Sequence, residues 1–244
     1  MEKIYTIPVN EAFDECAAEE KPVCPFCRLE NRLEENELDL ILGASMMEPD
    51  VRLKTNEEGF CQAHFARMLT KQKRLPLALM LESHLESLRP STVTDGVENL
   101  LRGPGTSAVS RIARLEESCY LCRRIGDSAG KMLDNAAWLW EADEAFRKKT
   151  RAQKCLCLPH TRAWLEAGKK NLAKKQYAAF CKEVGDVCNA YFDALRSDVS
   201  KYCRKFDYRY EDEPWGEAKD APERAIRFLV SDRHSPLPEK KKQT

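Results

Sequence analysis

The sequence predicts an all-α fold, a duplicated helical zinc-binding unit with two Cys3His sites. Two observations lead to this prediction: cysteine and histidine motifs recur at one spacing, and apolar residues recur at intervals of three and four. Of the 244 residues, 43% are hydrophobic and 33% are charged, which excludes a low-complexity or wholly disordered chain.

A cysteine–histidine pattern occurs twice along the chain. Each C-x2-C pair is followed by a C-x2-H pair, after 33 intervening residues in the first copy and 34 in the second. The first copy consists of Cys24, Cys27, Cys61 and His64, and the second of Cys119, Cys122, Cys157 and His160. Apolar positions repeat with the motifs, since Leu69 and Leu81 correspond to Leu165 and Tyr177. The pattern therefore indicates an internal duplication.

The spacing within each motif suits a metal ion. In C-x2-C two sulfurs can meet one ion across a tight turn, and Pro25 favours such a turn at a helix start. In C-x2-H the ligands lie on one helix face. Three thiolates and one imidazole complete a tetrahedron around Zn²⁺ and leave no position for water, so such a site is structural. We expect two zinc ions per chain, one in each copy; an iron–sulfur cluster and free thiols are the alternatives.

Helical periodicity and turn residues divide the first copy into elements. Asn10 is a candidate cap for a helix over residues 11–18, and a helix follows Cys24 as far as Gly43. Residues 46–50 and 56–59 are predicted to break the helical pattern. We then expect a short helix from His64 to about Lys71 and an apolar helix from Leu77 to Leu88, before Pro90.

The second copy repeats this order after a Gly103-Pro-Gly105 break. Helices are expected at residues 108–117, 132–146 and 160–167, and a long apolar stripe at 173–206. The predicted domains are a first zinc-binding repeat at 1–105, a second at 106–212, and a C-terminal short helix with a disordered tail at 213–244.

Several other residues have two interpretations. Cys16, Cys181, Cys188 and Cys203 are interpreted as structural or core thiols, whereas Cys155, two residues before Cys157, could also replace a ligand or act as a redox partner. His84 is interpreted as a packed core histidine. Arg28 and Arg123 directly follow a C-x2-C pair, so they either offset the negative charge of a three-thiolate site or lie on a solvated face.

Four segments of the first half carry a family resemblance. They are residues 3–13 (KIYTIPVNEAF), 24–27 (CPFC), 46–52 (MMEPDVR) and 59–64 (GFCQAH). These segments resemble a bacterial family of cytoplasmic proteins of unknown function, and the resemblance covers most of the chain. It implies a shared cysteine and histidine framework, and it supplies no activity, substrate or catalytic residue.

The chain carries no enzymatic motif: it contains no phosphate-binding glycine loop, no G-x-S-x-G and no H-E-x-x-H. We expect a cytoplasmic protein-interaction or regulatory module with a protein partner. Alternatives are a thiol-based redox or zinc sensor using Cys155, and an enzyme using Glu48, Asp50 or His84. Forty basic residues balance forty acidic ones, so we expect no nucleic-acid partner, and we expect no membrane association because no long uncharged apolar stretch occurs.

Overall fold

The computed structural model describes residues 3–92, 106–210 and 212–234. Most residues in these ranges are helical and no strand occurs within them, which confirms the all-α prediction. The α-helices are α1 (Thr6–Ala18), α2 (Pro25–Ile41), α3 (Pro49–Glu58), α4 (Gln62–Thr70), α5 (Arg74–Thr92), α6 (Thr106–Glu117), α7 (Tyr120–Ala142), α8 (Glu144–Arg151), α9 (Leu158–Asn171), α10 (Lys174–Arg204) and α11 (Ala221–Val230). Short 3-10 helices cover Lys3–Tyr5, Ala44–Met47, Tyr208–Tyr210 and Gly216–Asp220.

The chain divides into two compact units that do not follow the predicted repeats. One unit, here called the split unit, consists of Met1–Asn31 and Ala129–Thr244. The other, here called the continuous unit, consists of Arg32–Ser128. A boundary at residue 105 would cut through the continuous unit, whereas the observed division places residues from the two ends of the chain in one unit. The duplication itself stays a prediction.

Aromatic side chains form the core of the split unit. Phe13 of α1 contacts Phe26, Phe146 and Trp164, and the ring of Trp164 also packs edge-on against Phe180. Gly168 of α9 makes room for this packing, because a Cβ atom at that position would lie 2.3 Å from a ring carbon of Phe180. The aromatic core thereby fixes α9 and α10 against each other.

Aliphatic side chains and methionines form the core of the continuous unit. Leu38 and Ile41 of α2 pack in one buried cluster with Met68 of α4 and with Leu77 and Met80 of α5. Cys119, Tyr120 and Leu121, at the start of α7, belong to the same cluster. The start of α7 is therefore fixed by apolar packing as well as by any ligand that its cysteines bind.

Several helix boundaries differ from the sequence predictions; the helix predicted at 132–146, for example, is divided between α7 and α8. Helix α1 begins at Thr6, so Asn10 lies inside it and donates from Nδ2 to the Thr6 carbonyl at 3.0 Å rather than capping the helix. Residues 49–58 form α3, where Pro49 and Asp50 start a helix instead of breaking one, as proline in a first helical turn allows. Helix α5 continues through Pro90 to Thr92.

Two sequence predictions concern residues that the structure does not describe. The Gly103-Pro-Gly105 break and the C-terminal tail from residue 235 lie outside the described ranges. Within those ranges, no helix has the length and apolar character needed to cross a membrane.

Candidate metal centres

The eight predicted ligands form two clusters, but the ligand pairing differs from the prediction. Cys24, Cys27, Cys157 and His160 form one group, here called the Cys24 cluster, and Cys61, His64, Cys119 and Cys122 form the Cys61 cluster. In each, the four ligand atoms all lie within 4.8 Å of one another. The predicted grouping of consecutive motifs was therefore wrong: the outer motifs of the chain pair with each other, and so do the inner ones.

A long helix lies between the first two motifs of the chain. Cys27 lies in the first turn of this helix, whose 17 residues span about 25 Å at 1.5 Å per residue. The ten-residue α3 follows before Cys61, so most of the spacer between these motifs is helical.

Each cluster forms where two helices begin. In the Cys24 cluster, Cys24 directly precedes α2 and Cys157 is the N-cap residue of α9. Their carbonyls accept the first helical hydrogen bonds, from Arg28 at 3.1 Å and Thr161 at 2.8 Å. Because helix N-termini carry partial positive charge, this arrangement stabilises thiolates.

The Cys61 cluster has the same construction at α4 and α7. Cys61 is the N-cap residue of α4, and Cys119 directly precedes α7. Two hydrogen bonds join the segments that lead into these helices: Tyr120 N–H to the Gly59 carbonyl at 3.0 Å, and the Ser118 hydroxyl to the Glu58 carbonyl at 2.6 Å. Gly59 has a φ of 61°, a value that favours glycine, so this turn depends on the residue type.

Within the Cys24 cluster, Nδ1 of His160 faces the sulfurs. It lies 3.1 Å from Cys157 Sγ, 3.4 Å from Cys27 Sγ and 3.9 Å from Cys24 Sγ, while Cys27 and Cys157 Sγ are 3.7 Å apart. The backbone N–H of Asp232 also points to Cys27 Sγ at 3.4 Å. The four ligand residues are all buried.

Within the Cys61 cluster, Nδ1 of His64 is 3.2 Å from both Cys61 and Cys119 Sγ and 3.4 Å from Cys122 Sγ. The sulfurs of Cys61 and Cys122 are 3.8 Å apart, far beyond the roughly 2.05 Å of a disulfide. Here only Cys119 and His64 are buried; Cys61 is half-buried and Cys122 is exposed.

A carboxylate faces the other ring nitrogen of each histidine: that of Glu34 is buried and that of Glu30 is half-buried. Glu30 Oε1 lies 3.1 Å from His160 Nε2, and Glu34 Oε1 lies 3.4 Å from His64 Nε2. Such a carboxylate fixes the tautomer, leaving Nδ1 available to a metal ion. Spacing from the cysteines did not identify either glutamate, because the duplicated pattern has no carboxylate at the equivalent positions, Ile125 and Ala129.

The electrostatics favour a charged thiolate and imidazolium in each cluster without metal. Burial alone would lower the pKa of His160, but hydrogen bonds with Cys157, Cys24 and Glu30 raise it to about 12. In the same way, burial of His64 is outweighed by hydrogen bonds with Cys119 and Glu34, which raise its pKa to about 10. Burial opposes ionisation of Cys119, yet its bond with His64 lowers the pKa of this thiol to about 6. A metal ion must displace these histidine protons, so affinity falls as pH falls.

The arginines and remaining cysteines lie outside the ligand sets. Arg28 pairs with Glu15 at 3.3 Å and with Glu19 at 2.7 Å. Arg123 pairs with Glu58 at 2.7 Å. Cys155 is buried and belongs to neither cluster, and burial raises its pKa. Cys16 and Cys188 are buried as expected for core thiols, whereas Cys181 is half-buried and Cys203 is exposed.

The candidate catalytic residues are not assembled. His84 is half-buried and its Nδ1 lies 3.1 Å from the Asn56 carbonyl. Glu48 and Asp50 are exposed at the start of α3, and within residues 3–92 no hydrogen bond or ion pair joins them to His84. A groove of about 1070 Å³ lies along α10, but its lining contains neither cysteine nor histidine, and opposite charges such as Lys182 and Asp186 pair with each other.

Replacing Glu34 with Gln should weaken metal binding at the Cys61 cluster. Because the amide is neutral, it supports the His64 tautomer less well, and we expect about 10-fold to 100-fold lower zinc affinity in a chelator competition. Glu37→Gln is the matched control on α2, since Glu37 pairs with Arg124 at 2.7 Å. Equal affinities in the two variants would contradict a role for Glu34.

Comparison with known proteins identifies the family. Searches of curated proteins and of solved structures found no match. The model of the family of unknown function DUF6062 matches residues 1–236, almost the whole chain, as the family resemblance of the sequence predicts. The chain therefore belongs to the family of unknown function DUF6062.

Proposed function

We propose that both clusters bind zinc and that the two ions are structural. The observation that carries this proposal is the spacing of the ligand atoms. A tetrahedral ion with Zn–S of about 2.3 Å and Zn–N of about 2.05 Å places sulfurs roughly 3.8 Å apart and sulfur and nitrogen roughly 3.5 Å apart. The clusters have sulfur–sulfur distances of 3.7 and 3.8 Å and sulfur–nitrogen distances of 3.1–3.9 Å.

Ligand count supports a structural role over a hydrolytic one. Each cluster offers three thiols and one imidazole, so a tetrahedral ion is fully occupied by protein and has no position for substrate or water. A zinc ion bound there would cross-link the starts of the two helices and would not take part in catalysis. Its binding free energy then contributes directly to the folding of each unit.

A zinc assay tests this proposal. Protein purified without added metal should contain about two zinc ions per chain. His64→Ala and His160→Ala should each remove about one ion and lower the melting temperature by about 5 °C or more, because each loses a ligand that links two helices. His84→Ala is the control and should retain both ions. Wild-type protein with fewer than two ions would contradict the proposal.

We further propose that the protein acts as an interaction or regulatory module. Support comes from an aromatic surface at the end of α10, here called the α10 aromatic surface, formed by Tyr202, Phe206, Tyr208 and Trp215. Phe206 is 75% exposed and Tyr208 is 84% exposed. The ring of Tyr202 packs against Phe206 at 5.4 Å and Trp215 at 5.5 Å, which orders these three rings. Exposed, pre-ordered aromatic residues are typical anchors of protein interfaces.

Charge beside this surface indicates the kind of partner. Arg196, Lys201 and Arg204 line a hollow of about 500 Å³ on α10, with Asp193 as its one acidic lining residue. An apolar protein segment flanked by acidic residues would complement both features. By contrast, Trp140 and Trp164 are buried in the core.

Replacing Phe206 and Tyr208 together with Ala tests the interaction. Since both side chains are exposed, the double variant should keep its two zinc ions and its melting temperature, while losing one or more defined partners in cross-linking performed inside cells. Leu85→Ala is the control, because Leu85 is 66% exposed but lies on α5. An unchanged set of cross-linked proteins in the double variant would count against this surface.

A further inference from the structure

The two clusters differ in how far solvent reaches their sulfurs. All four ligand residues of the Cys24 cluster are buried, with Cys24 5% exposed, Cys27 3% and Cys157 1%. In the Cys61 cluster, Cys122 is exposed and Cys61 is half-buried. Both clusters consist of three thiols and one imidazole. Any difference in the reactivity of their sulfurs therefore comes from exposure and from the surrounding contacts.

The surroundings of the Cys24 cluster protect its sulfurs. Asp232 donates its backbone N–H to Cys27 Sγ at 3.4 Å, which reduces the nucleophilicity of this thiolate. Phe228 and Arg227 of α11 line a cavity of about 40 Å³ beside Cys24, room for one or two water molecules. A reagent must pass these groups to reach a sulfur.

Among the described residues, no backbone N–H donates to the sulfur of Cys122, whose side chain is exposed. The described polar contacts of its sulfur are with the cluster itself, Cys61 Sγ at 3.8 Å and His64 Nδ1 at 3.4 Å. The neighbouring Arg123 side chain is held by Glu58 through two hydrogen bonds of 2.7 and 2.8 Å. The exposed sulfur therefore lies next to a second, half-buried sulfur with which it can react.

We propose that the Cys61 cluster is an oxidation-sensitive zinc site at which hydrogen peroxide reacts first with Cys122. This inference rests on the proposed zinc binding and deepens it. The sequence analysis considered Cys155 as the redox-active cysteine, but this residue is buried. The structure favours Cys122, which is exposed. Under the same conditions the Cys24 cluster releases its ion more slowly.

The reaction balances with the thiolates and peroxide alone. The Cys122 thiolate attacks one peroxide oxygen, the O–O bond breaks, and the leaving hydroxide takes a proton from solvent to become water. The Cys61 thiolate then attacks the resulting Cys122 sulfenic acid, forming the S–S bond and expelling a second hydroxide, which also becomes water. The two sulfurs together lose two electrons, which reduce one peroxide to two waters. With two of its ligands lost, the cluster releases its ion, and two glutathione thiols can reduce the disulfide again.

Zinc release from the full chain tests this inference. The two-zinc protein is treated with excess hydrogen peroxide in the presence of the zinc indicator 4-(2-pyridylazo)resorcinol. We expect a fast phase of about one ion per chain and a second phase about tenfold slower or more, because the second ion is bound by buried sulfurs. Release of both ions at one rate would overturn the inference.

Matched variants identify the cluster that releases its ion in the fast phase. His64→Ala should abolish it, whereas His160→Ala should keep it and lose the slow phase. Cys203→Ser, which removes an exposed thiol outside both clusters, should change neither. Persistence of the fast phase in His64→Ala would also overturn the inference.

Peptide mapping keeps this inference separable from the zinc proposal. A disulfide between Cys61 and Cys122 should form about tenfold faster than any disulfide within the Cys24 cluster, as measured by mass spectrometry of quenched samples. If the starting protein lacked zinc, the zinc proposal would fail, and the mapping would still decide which cluster reacts first. Earlier oxidation of Cys27 or Cys157 would refute the order of reactivity proposed here.

Discussion

Two helix N-termini meet at each cluster, and the fold of each unit depends on this contact. Sulfurs that bind metal are thiolates and carry negative charge. Burying three of them with an imidazole at such a junction would be costly without a cation. Helix dipoles reduce this cost, and a zinc ion removes most of it. In the split unit the junction joins α2 to α9, and in the continuous unit it joins α4 to α7.

The pairing of motifs determines which parts of the chain fold together. Because Cys24 and Cys27 pair with Cys157 and His160, the N-terminal residues belong to a unit with the C-terminal half of the chain. The ligands of the continuous unit are closer in sequence, with His64 and Cys119 55 residues apart. Contacts between residues 136 apart, such as Cys24 and His160, carry a higher loop-closure cost. Forming the Cys61 cluster of the continuous unit therefore carries a lower loop-closure cost than forming the Cys24 cluster.

The sequence was sufficient to predict the helices and the eight residues that form the two clusters, and it was insufficient to predict how their motifs pair. Apolar periodicity identified α10 within a few residues, and Pro25 marked the start of α2 correctly. Spacing alone cannot distinguish a ligand partner 34 residues away from one 130 residues away, because the same motifs occur at both distances from Cys27. Glu30 and Glu34 were missed for a related reason: on a helix with many charged residues, a carboxylate that supports a ligand is recognised only when its histidine is in place.

Metal content of two fourfold variants tests the nested pairing most directly. Changing Cys24, Cys27, Cys157 and His160 to Ala removes one observed cluster and leaves the other whole, so about one zinc per chain should remain tightly bound. Changing Cys24, Cys27, Cys61 and His64 to Ala leaves two ligands in each cluster, so no tightly bound zinc should remain. The opposite result, with one zinc in the second variant and none in the first, would show that consecutive motifs share an ion and would contradict the account.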